Sequence, residues 1–274
     1  MNALGRLALG LLLALGGLAA FADEPNPAPA DFRLKMALYG VGENPLETAQ
    51  LLAHEGRLYQ FLAGSKEAII IDPAASKIEL IDYAAQRRVR TALSFAQLDE
   101  AVEKLRKVLD DSAARREKEG GKANLLTAQM TRSLIEPKLT VSAPPDKSKS
   151  QLQLASENVE VQAKGAAEPD APRRSLLESC LTSLAKLEWI RMPEDLPPFV
   201  RLQTLSALMK ERQLRPTELT FIYRLAGPPR KLRWTFELVP KLTESELEAI
   251  TRIDRLKIKT SYLGFARYER LGEH

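Results

Sequence analysis

Apolar and polar residues alternate over much of residues 31–94, with the two-residue period of a half-buried β-strand. In the first segment Phe32 and Leu34 fall on one side of the chain, and Arg33 and Lys35 fall on the other. Further strands are predicted at 47–54, 57–62, 68–71, 78–83 and 88–93. The short spacings leave no room for crossover helices, so neighbouring strands are predicted to pair antiparallel as a meander.

Two local patterns refine this prediction. Residues 68–71 (AIII) are apolar without interruption, which indicates a strand that is covered on both faces. Glu55-Gly56 separates two predicted strands and is typical of a tight hairpin turn.

Apolar residues with a helical period follow the strands and predict amphipathic helices. Ser94 and Gln97 form a capping box at the start of the first helix. The three apolar stripes are Phe95, Leu98, Val102, Leu105 and Leu109; Leu177, Cys180, Leu181, Leu184 and Leu187; and Phe199, Leu202, Leu205, Leu208 and Met209. Because the apolar face of a sheet must be covered, we predict an α+β fold in which a curved, half-barrel-like antiparallel sheet is covered by these helices.

The alternating segments 218–225 and 231–238 predict a second hairpin. Their apolar positions are candidates to line the apolar face of the sheet, and a ligand bound there would contact them. These candidate lining residues are Leu219, Phe221, Tyr223, Trp234 and Phe236.

The polar segment 164–173 is a candidate domain boundary. It would separate a β-meander with helices (31–163) from a unit of helices and a hairpin (174–270), or it is a surface loop within one continuous domain. The charged segment 110–122 reads either as a solvated helix extension or as a mobile loop. A helix capped by Thr243 and Glu246 is predicted to reach about residue 255, and a final strand is predicted at 261–268.

The first 22 residues have the pattern of a secretory signal peptide. Arg6 is followed by an apolar run over residues 7–18 and by Ala20-Phe21-Ala22, so cleavage is expected after Ala22. Residues 23–30 (DEPNPAPA) then form a Pro-rich tether. We therefore expect a periplasmic or secreted protein. No later stretch reaches 18 apolar residues, so no transmembrane segment is expected after cleavage.

Composition narrows the possible chemistry. One Cys excludes a disulfide scaffold, and two His make a multi-histidine metal site untenable, so no metal or cofactor is assigned. The net charge is only +4, with 40 Lys and Arg against 36 Asp and Glu. Basic clusters at 87–90, 115–118, 230–233 and 252–259 are interpreted as solvated faces or as contacts to an anionic envelope surface. Export argues against a nucleic-acid partner.

No residue is assigned a catalytic role. His54 beside Glu55 is a lone histidine, and Cys180 lies in an apolar stripe, where a sheltered thiol or a bond to another chain is expected. Asp72 and Asp82 end adjacent predicted strands, so they are candidates for the paired acids of a glycosidase or for ordinary turn residues.

Residues 51–93 resemble periplasmic lipoprotein-carrier proteins and their lipoprotein-sorting relatives. The likeness rests on an acid-Gly-x-x-aromatic-x-aromatic pattern followed by Asp-Pro, here Glu55, Gly56, Tyr59, Phe61, Asp72 and Pro73. In this chain an apolar strand separates the aromatic pair from the Asp-Pro. The resemblance implies an open half-barrel whose concave side holds acyl chains without catalysis. The whole chain is also similar to exported proteins of budding, compartmented bacteria, which implies no activity.

Three functions follow as hypotheses. The first is a non-catalytic envelope protein that shelters an apolar ligand, such as a lipid or an acylated partner. The second is an envelope interaction or assembly module without a small ligand, which the basic clusters and the tether favour. The third is a hydrolase that uses Asp72, Asp82 or His54.

Overall fold

The computed structural model describes residues 31–62, 66–84, 88–141, 150–193, 195–225 and 228–270. The predicted signal peptide (1–22) and the tether (23–30) lie outside the described residues. Within that part of the chain, twelve strands form one open, curled sheet that is accompanied by six α-helices, which confirms the α+β prediction.

The elements have the following bounds. The strands are β1 (Phe32–Tyr39), β2 (Pro45–His54), β3 (Arg57–Leu62), β4 (Glu67–Asp72), β5 (Lys77–Asp82), β6 (Val89–Ser94), β7 (Thr140–Val141), β8 (Gln151–Ala155), β9 (Val159–Ala167), β10 (Leu214–Tyr223), β11 (Arg230–Val239) and β12 (Ser261–Tyr262). The helices are α1 (Phe95–Glu119), α2 (Lys122–Ile135), α3 (Ala171–Arg191), α4 (Phe199–Ser206), α5 (Glu244–Ile258) and α6 (Phe265–Arg270), and a π-helical turn (Ala207–Glu211) follows α4.

The sheet has the order β12-β6-β5-β4-β3-β2-β1-β11-β10-β9-β8-β7. Strands β1 to β6 form the predicted meander, and the turn between β2 and β3 uses Glu55 and Gly56, both at positive φ. All strand pairs are antiparallel except β12–β6, which is parallel.

Strand β1 joins the two parts of the chain, because it pairs with β2 on one side and with β11 on the other. The polar connector predicted at 164–173 is partly wrong, since β9 continues through Ala167 and α3 begins at Ala171. Val161 and Ala163 are buried on the same face of β9. The strand therefore continues into the segment that was predicted to be a connector.

Apolar side chains on one face of the sheet, which we call the helical face, form the main core with α3 and α4. Phe32, Leu34 and Met36 of β1 and the whole predicted stripe of α3 are buried there. The opposite face carries a second cluster, in which Ile70 of β4 packs with Ile250 and Ile253 of α5. Strand β4 is therefore covered on both faces, as its uninterrupted apolar sequence predicted.

The charged segment 110–122 agrees with the first of its two alternatives, because it is helical through Glu119. Arg132 of α2 forms ion pairs with Asp110 and Glu117 of α1. The strand predicted at 261–268 is wrong over most of its length, since β12 ends at Tyr262 and α6 follows. The buried Tyr268 of α6 reaches the core as a helical residue rather than as a strand residue.

A buried carboxylate fastens α5 to the sheet. Glu79 of β5 is buried and forms ion pairs with Lys77 and with Lys257 of α5. Burial opposes the charge of Glu79, but hydrogen bonds from Lys257 and Lys77 outweigh it, so the pKa of Glu79 lies below its usual value of 4.5. The stabilisation is therefore present above about pH 4.5 and is lost as the pH falls through the folded-state value.

We expect Glu79→Gln to lower the free energy of unfolding by about 1–3 kcal/mol at pH 7, because both lysines lose a charged acceptor. The deficit should shrink below pH 4.5, where the wild-type carboxyl also becomes neutral. Urea unfolding monitored by circular dichroism measures both effects. Glu100→Gln, which removes an exposed pair with Lys104, is the control and should leave the midpoint unchanged. Equal curves for the wild type and Glu79→Gln would show that this anchor does not stabilise the fold.

The single cysteine is inert in this fold. Cys180 lies in the apolar stripe of α3 as a free, fully buried thiol, and burial raises its pKa far above the usual value. We expect Ellman's reagent to label no more than traces of the native protein and to label one thiol per chain in denaturant. Rapid labelling of the native protein would contradict this burial.

Candidate functional site

The structure brings the five candidate lining residues together on the helical face. Leu219, Phe221 and Tyr223 of β10 are buried, as is Phe236 of β11. Trp234 is half-buried, packs against the main core and pairs across the strands with Leu219. These five residues therefore share one face of the sheet with the main core.

The two ends of this surface differ in how well the helices cover them. Around Leu219 and Phe236 the side chains of α3 and α4 fill the space and leave a void of about 20 Å³, enough for roughly one water molecule. Around Phe221, Tyr223 and Trp234 a cavity of about 200 Å³ is present. We call this cavity the aromatic cleft.

The aromatic cleft lies beside the end of α3 at Arg191. Pro197 and Pro198 precede α4 and line the cavity as well. The remaining walls come from the sheet, the end of α3 and the loop, and consist of Leu38, Leu46, Glu47, Glu188, Trp189, Met192, Asp195, Leu196, Arg201, Arg230 and Leu232.

Three of the charged side chains that line this cleft interact with one another. Arg201 of α4 donates a 2.7 Å hydrogen bond from Nη2 to Oε2 of Glu188, and its guanidinium carbon lies 5.6 Å from the centre of the Trp234 ring. Glu47 is on the same cross-strand row as Leu38 and Trp234, which places it on the helical face. The cleft is therefore lined by charged side chains as well as by aromatic ones.

The pKa values of two residues that line the cleft, Glu47 and Tyr223, are raised. Burial first, and the Glu188 carboxylate second, raise the pKa of Glu47, while Arg201 opposes the shift. Burial also raises the pKa of Tyr223 to about 12, against the influence of Arg201 and Arg230. Burial is the largest contribution to both shifts.

A second cavity of about 390 Å³ adjoins the aromatic cleft. Glu47, Glu188 and Met192 line both cavities. The second cavity, which we call the acid pocket, is further lined by Gln60, Leu62, Glu67, Ile69, Leu184, Leu187, Arg191 and Glu269. It lies beside the last turn of α3.

A buried polar network forms one wall of the acid pocket. Glu67 of β4 accepts a 2.8 Å hydrogen bond from Nη1 of Arg191 and a 2.7 Å hydrogen bond from the hydroxyl of Tyr268. Arg191 also donates to Glu269 at 3.1 Å. This network fixes the ends of α3 and α6 against the sheet.

The proposed catalytic pair does not form. Asp72 lies opposite Lys77 and Asp82 lies opposite Glu67, so the two acids are at opposite ends of the antiparallel β4–β5 hairpin. Five residues of strand separate them, which is about 17 Å, beyond the spacing that glycosidases use. Asp72 instead pairs with Arg57 and accepts the Ala75 amide hydrogen bond of the turn.

His54 also has a local structural explanation. Its Nδ1 lies 2.9 Å from Oδ2 of Asp31, and its Nε2 lies 3.9 Å from Oε1 of Glu55. Both ring nitrogens therefore face carboxylates, one just before β1 and one at the β2–β3 turn. These two contacts account for the position of His54.

A larger groove of about 940 Å³ crosses the opposite face of the sheet near Lys35, Gln50 and Thr235. Its walls include exposed polar side chains and the exposed Lys35–Glu237 ion pair. Ligand sites combine apolar walls with a few placed polar groups. All three cavities fit that description; the aromatic cleft contains three of the five candidate lining residues and the acid pocket adjoins it, so we take these two cavities as the candidate site.

Comparisons with known proteins do not assign the chain: no protein-family model and no curated protein matches it. The resemblance to lipoprotein carriers therefore stays a prediction. Among the described residues no helix has the length and apolar content needed to cross a bilayer. The same part of the chain holds no group of three His, Cys, Asp or Glu side chains placed to bind a metal ion.

Sequence reasoning found the apolar residues of the site and missed its charged residues. Glu47 lies in a predicted strand, but no pattern distinguishes it from other polar strand residues. Glu188 and Arg201 belong to two different helices, and only the fold brings them together. Arg252 and Arg255 of α5 are exposed elsewhere, so contact with an anionic surface stays a prediction.

The cleft contains both tryptophans of the sequence, Trp189 and Trp234, which makes it directly observable. Trp189 is only 2% exposed, whereas Trp234 is half-buried. We expect the Trp234→Phe variant to emit from Trp189 alone and to resist quenching by acrylamide. Trp189→Phe should leave an emission that acrylamide quenches more strongly. Equal quenching of the two variants would contradict the described cleft.

Proposed function

We propose that this chain is a non-catalytic binding protein that shelters the apolar part of a ligand, such as a lipid or an acylated partner, in the aromatic cleft. The observation that supports this most directly is the cavity of about 200 Å³ on the apolar face, which Phe221, Tyr223 and Trp234 line. Apolar side chains left beside a cavity gain free energy when a ligand removes water from them.

Cavity size limits what the site accommodates. The aromatic cleft, at about 200 Å³, is smaller than the 300–1,000 Å³ typical of small-molecule sites, and the acid pocket is about 390 Å³. A ligand that occupies both cavities falls within that range. We therefore propose an elongated ligand that passes Met192, rather than a bulky one held in the cleft alone.

The proposed location is the bacterial envelope or the secreted space, because the signal-peptide pattern precedes the folded part. The resemblance of residues 51–93 to lipoprotein carriers agrees with a ligand that has acyl chains. The hydrolase hypothesis receives no support from the geometry of Asp72, Asp82 or His54.

The test uses Met192, which lines both cavities and is 47% exposed. The wild type should enhance the fluorescence of the neutral apolar probe N-phenyl-1-naphthylamine. Met192→Glu should weaken that binding by about tenfold, because it places a charge in the path of an apolar ligand. Native mass spectrometry of gently purified protein should show a bound mass that Met192→Glu lacks.

Leu126→Glu is the matched control, since Leu126 is 49% exposed on α2 and lines neither cavity. The control should bind the probe as the wild type does. A wild type that binds neither probe nor a native ligand, or a Met192→Glu variant that binds like Leu126→Glu, would overturn the proposal.

A further inference from the structure

Arg230 brings a cation without a partner to one end of the aromatic cleft. It is the first residue of β11, it lies directly opposite Tyr223 of β10, and its side chain lines the cleft. No acid in the described ranges forms an ion pair with it. The other arginine of the cleft, Arg201, is already bound to Glu188. Arg230 is therefore the arginine of this cleft that is available to a ligand.

Tyr223 supplies a hydrogen-bond donor without an acceptor at the same place. It is only 4% exposed, and its hydroxyl has no hydrogen-bond partner in the part of the chain that the structure describes. This oxygen is not among the polar atoms that are completely buried without a partner, so it is open to the cleft that Tyr223 lines. The stacked Phe221 ring, with its centre 6.3 Å away, restricts the orientation of the Tyr223 ring. A ligand acceptor would satisfy this hydroxyl.

The two groups are close enough to hold one head group. Residues that lie opposite each other in an antiparallel pair have Cβ atoms about 5 Å apart and point to the same face of the sheet. Burial raises the pKa of Tyr223, and the positive charges of Arg201 and Arg230 oppose this shift. Asp195 also lines the cleft, but no carboxylate of the described residues contributes to the shift. The hydroxyl therefore lies in a positive potential.

Two carboxylates of the cleft lie at its other end. Glu47 shares a cross-strand row with Trp234, and Glu188 is bound to Arg201, whose guanidinium lies over the Trp234 ring. Four residues of strand, about 13 Å, separate Trp234 from Arg230. The cleft is therefore acidic where it meets the acid pocket and basic where Arg230 lies.

We propose that Arg230 and Tyr223 form a head-group subsite for a carboxylate, which pairs with the guanidinium and accepts a hydrogen bond from the hydroxyl. The attached apolar chain runs past Phe221 and Trp234 towards Met192. One free cation and one neutral donor match a single negative charge better than they match a phosphate dianion. This inference rests on the proposed function and adds the chemical class of the ligand: an anionic amphiphile with a carboxylate head group.

The experiment compares four ligands by the fluorescence of Trp189 and Trp234 at low salt and neutral pH: decanoate, 1-decanol, decylammonium and acetate. Decanoate should bind about fivefold more tightly than 1-decanol, and decylammonium should bind more weakly than 1-decanol. High salt should reduce the preference for decanoate, because the pairing is electrostatic. Acetate, which lacks the apolar chain, should bind more weakly than decanoate.

Arg230→Gln tests the cation and should bring the ratio of decanoate to 1-decanol affinity close to one. Lys231→Gln is the matched control, since Lys231 is the next residue of β11, is exposed and lines neither cavity. The control removes the same net charge and should leave the ratio unchanged. If both substitutions reduce the ratio equally, the preference comes from the overall charge of the protein and the inference is overturned.

Tyr223→Phe tests the hydroxyl. It should weaken decanoate binding about threefold and should leave the Tm unchanged or raise it, because the hydroxyl has no partner in the free protein. An unchanged affinity for decanoate would contradict the proposed hydrogen bond. A lowered Tm would show that the hydroxyl has a structural role instead.

The outcomes separate the two proposals. If the decyl ligands bind equally well and Arg230→Gln changes nothing, the head-group inference fails and the proposed function stands. Tighter binding of decylammonium than of decanoate, or equal binding of acetate and decanoate, also overturns the inference. If no decyl ligand and no neutral probe binds, the proposed function itself fails.

Discussion

The structure depends on covering the apolar face of an open sheet. Leu177, Leu184 and Leu187 of α3 lie buried on that face with strands from both parts of the chain, and β1 holds those parts together by pairing with β2 and β11. Such a sheet is stable only where helices exclude water. The candidate site is the place where α3 and α4 cover that face without filling the space, so the same constraint that stabilises the fold also locates the cleft.

Charged residues at the end of α3 explain why the site is lined by charged side chains. The apolar stripe ends at Leu187, and the last turn presents Glu188 and Arg191 towards the sheet. Arg191 must lie there because Glu67 is buried on β4 and needs a cationic partner. The network that fastens the end of α3 therefore also forms the wall of the acid pocket, and binding and stability share these side chains.

Periodic features of the sequence were sufficient to predict most of the fold. Strands β1 to β6, the cap of α1 at Ser94 and the burial of Cys180 follow from local alternation, capping and apolar stripes. The position of α5 could not be predicted in this way, because its apolar stripe does not determine which face of the sheet Ile250 and Ile253 cover. The charged residues of the site could not be predicted either. No local sequence pattern marks Glu47, because its neighbours in the site come from two helices.

The chemistry of the two cavities differs because their neighbours differ, and this difference constrains any ligand more than their volume does. Phe221, Tyr223 and Trp234 line the aromatic cleft and favour removal of water, whereas four carboxylates and Arg191 line the acid pocket. Because the two cavities meet at Glu47, Glu188 and Met192, the aromatic wall of one is continuous with the charged wall of the other.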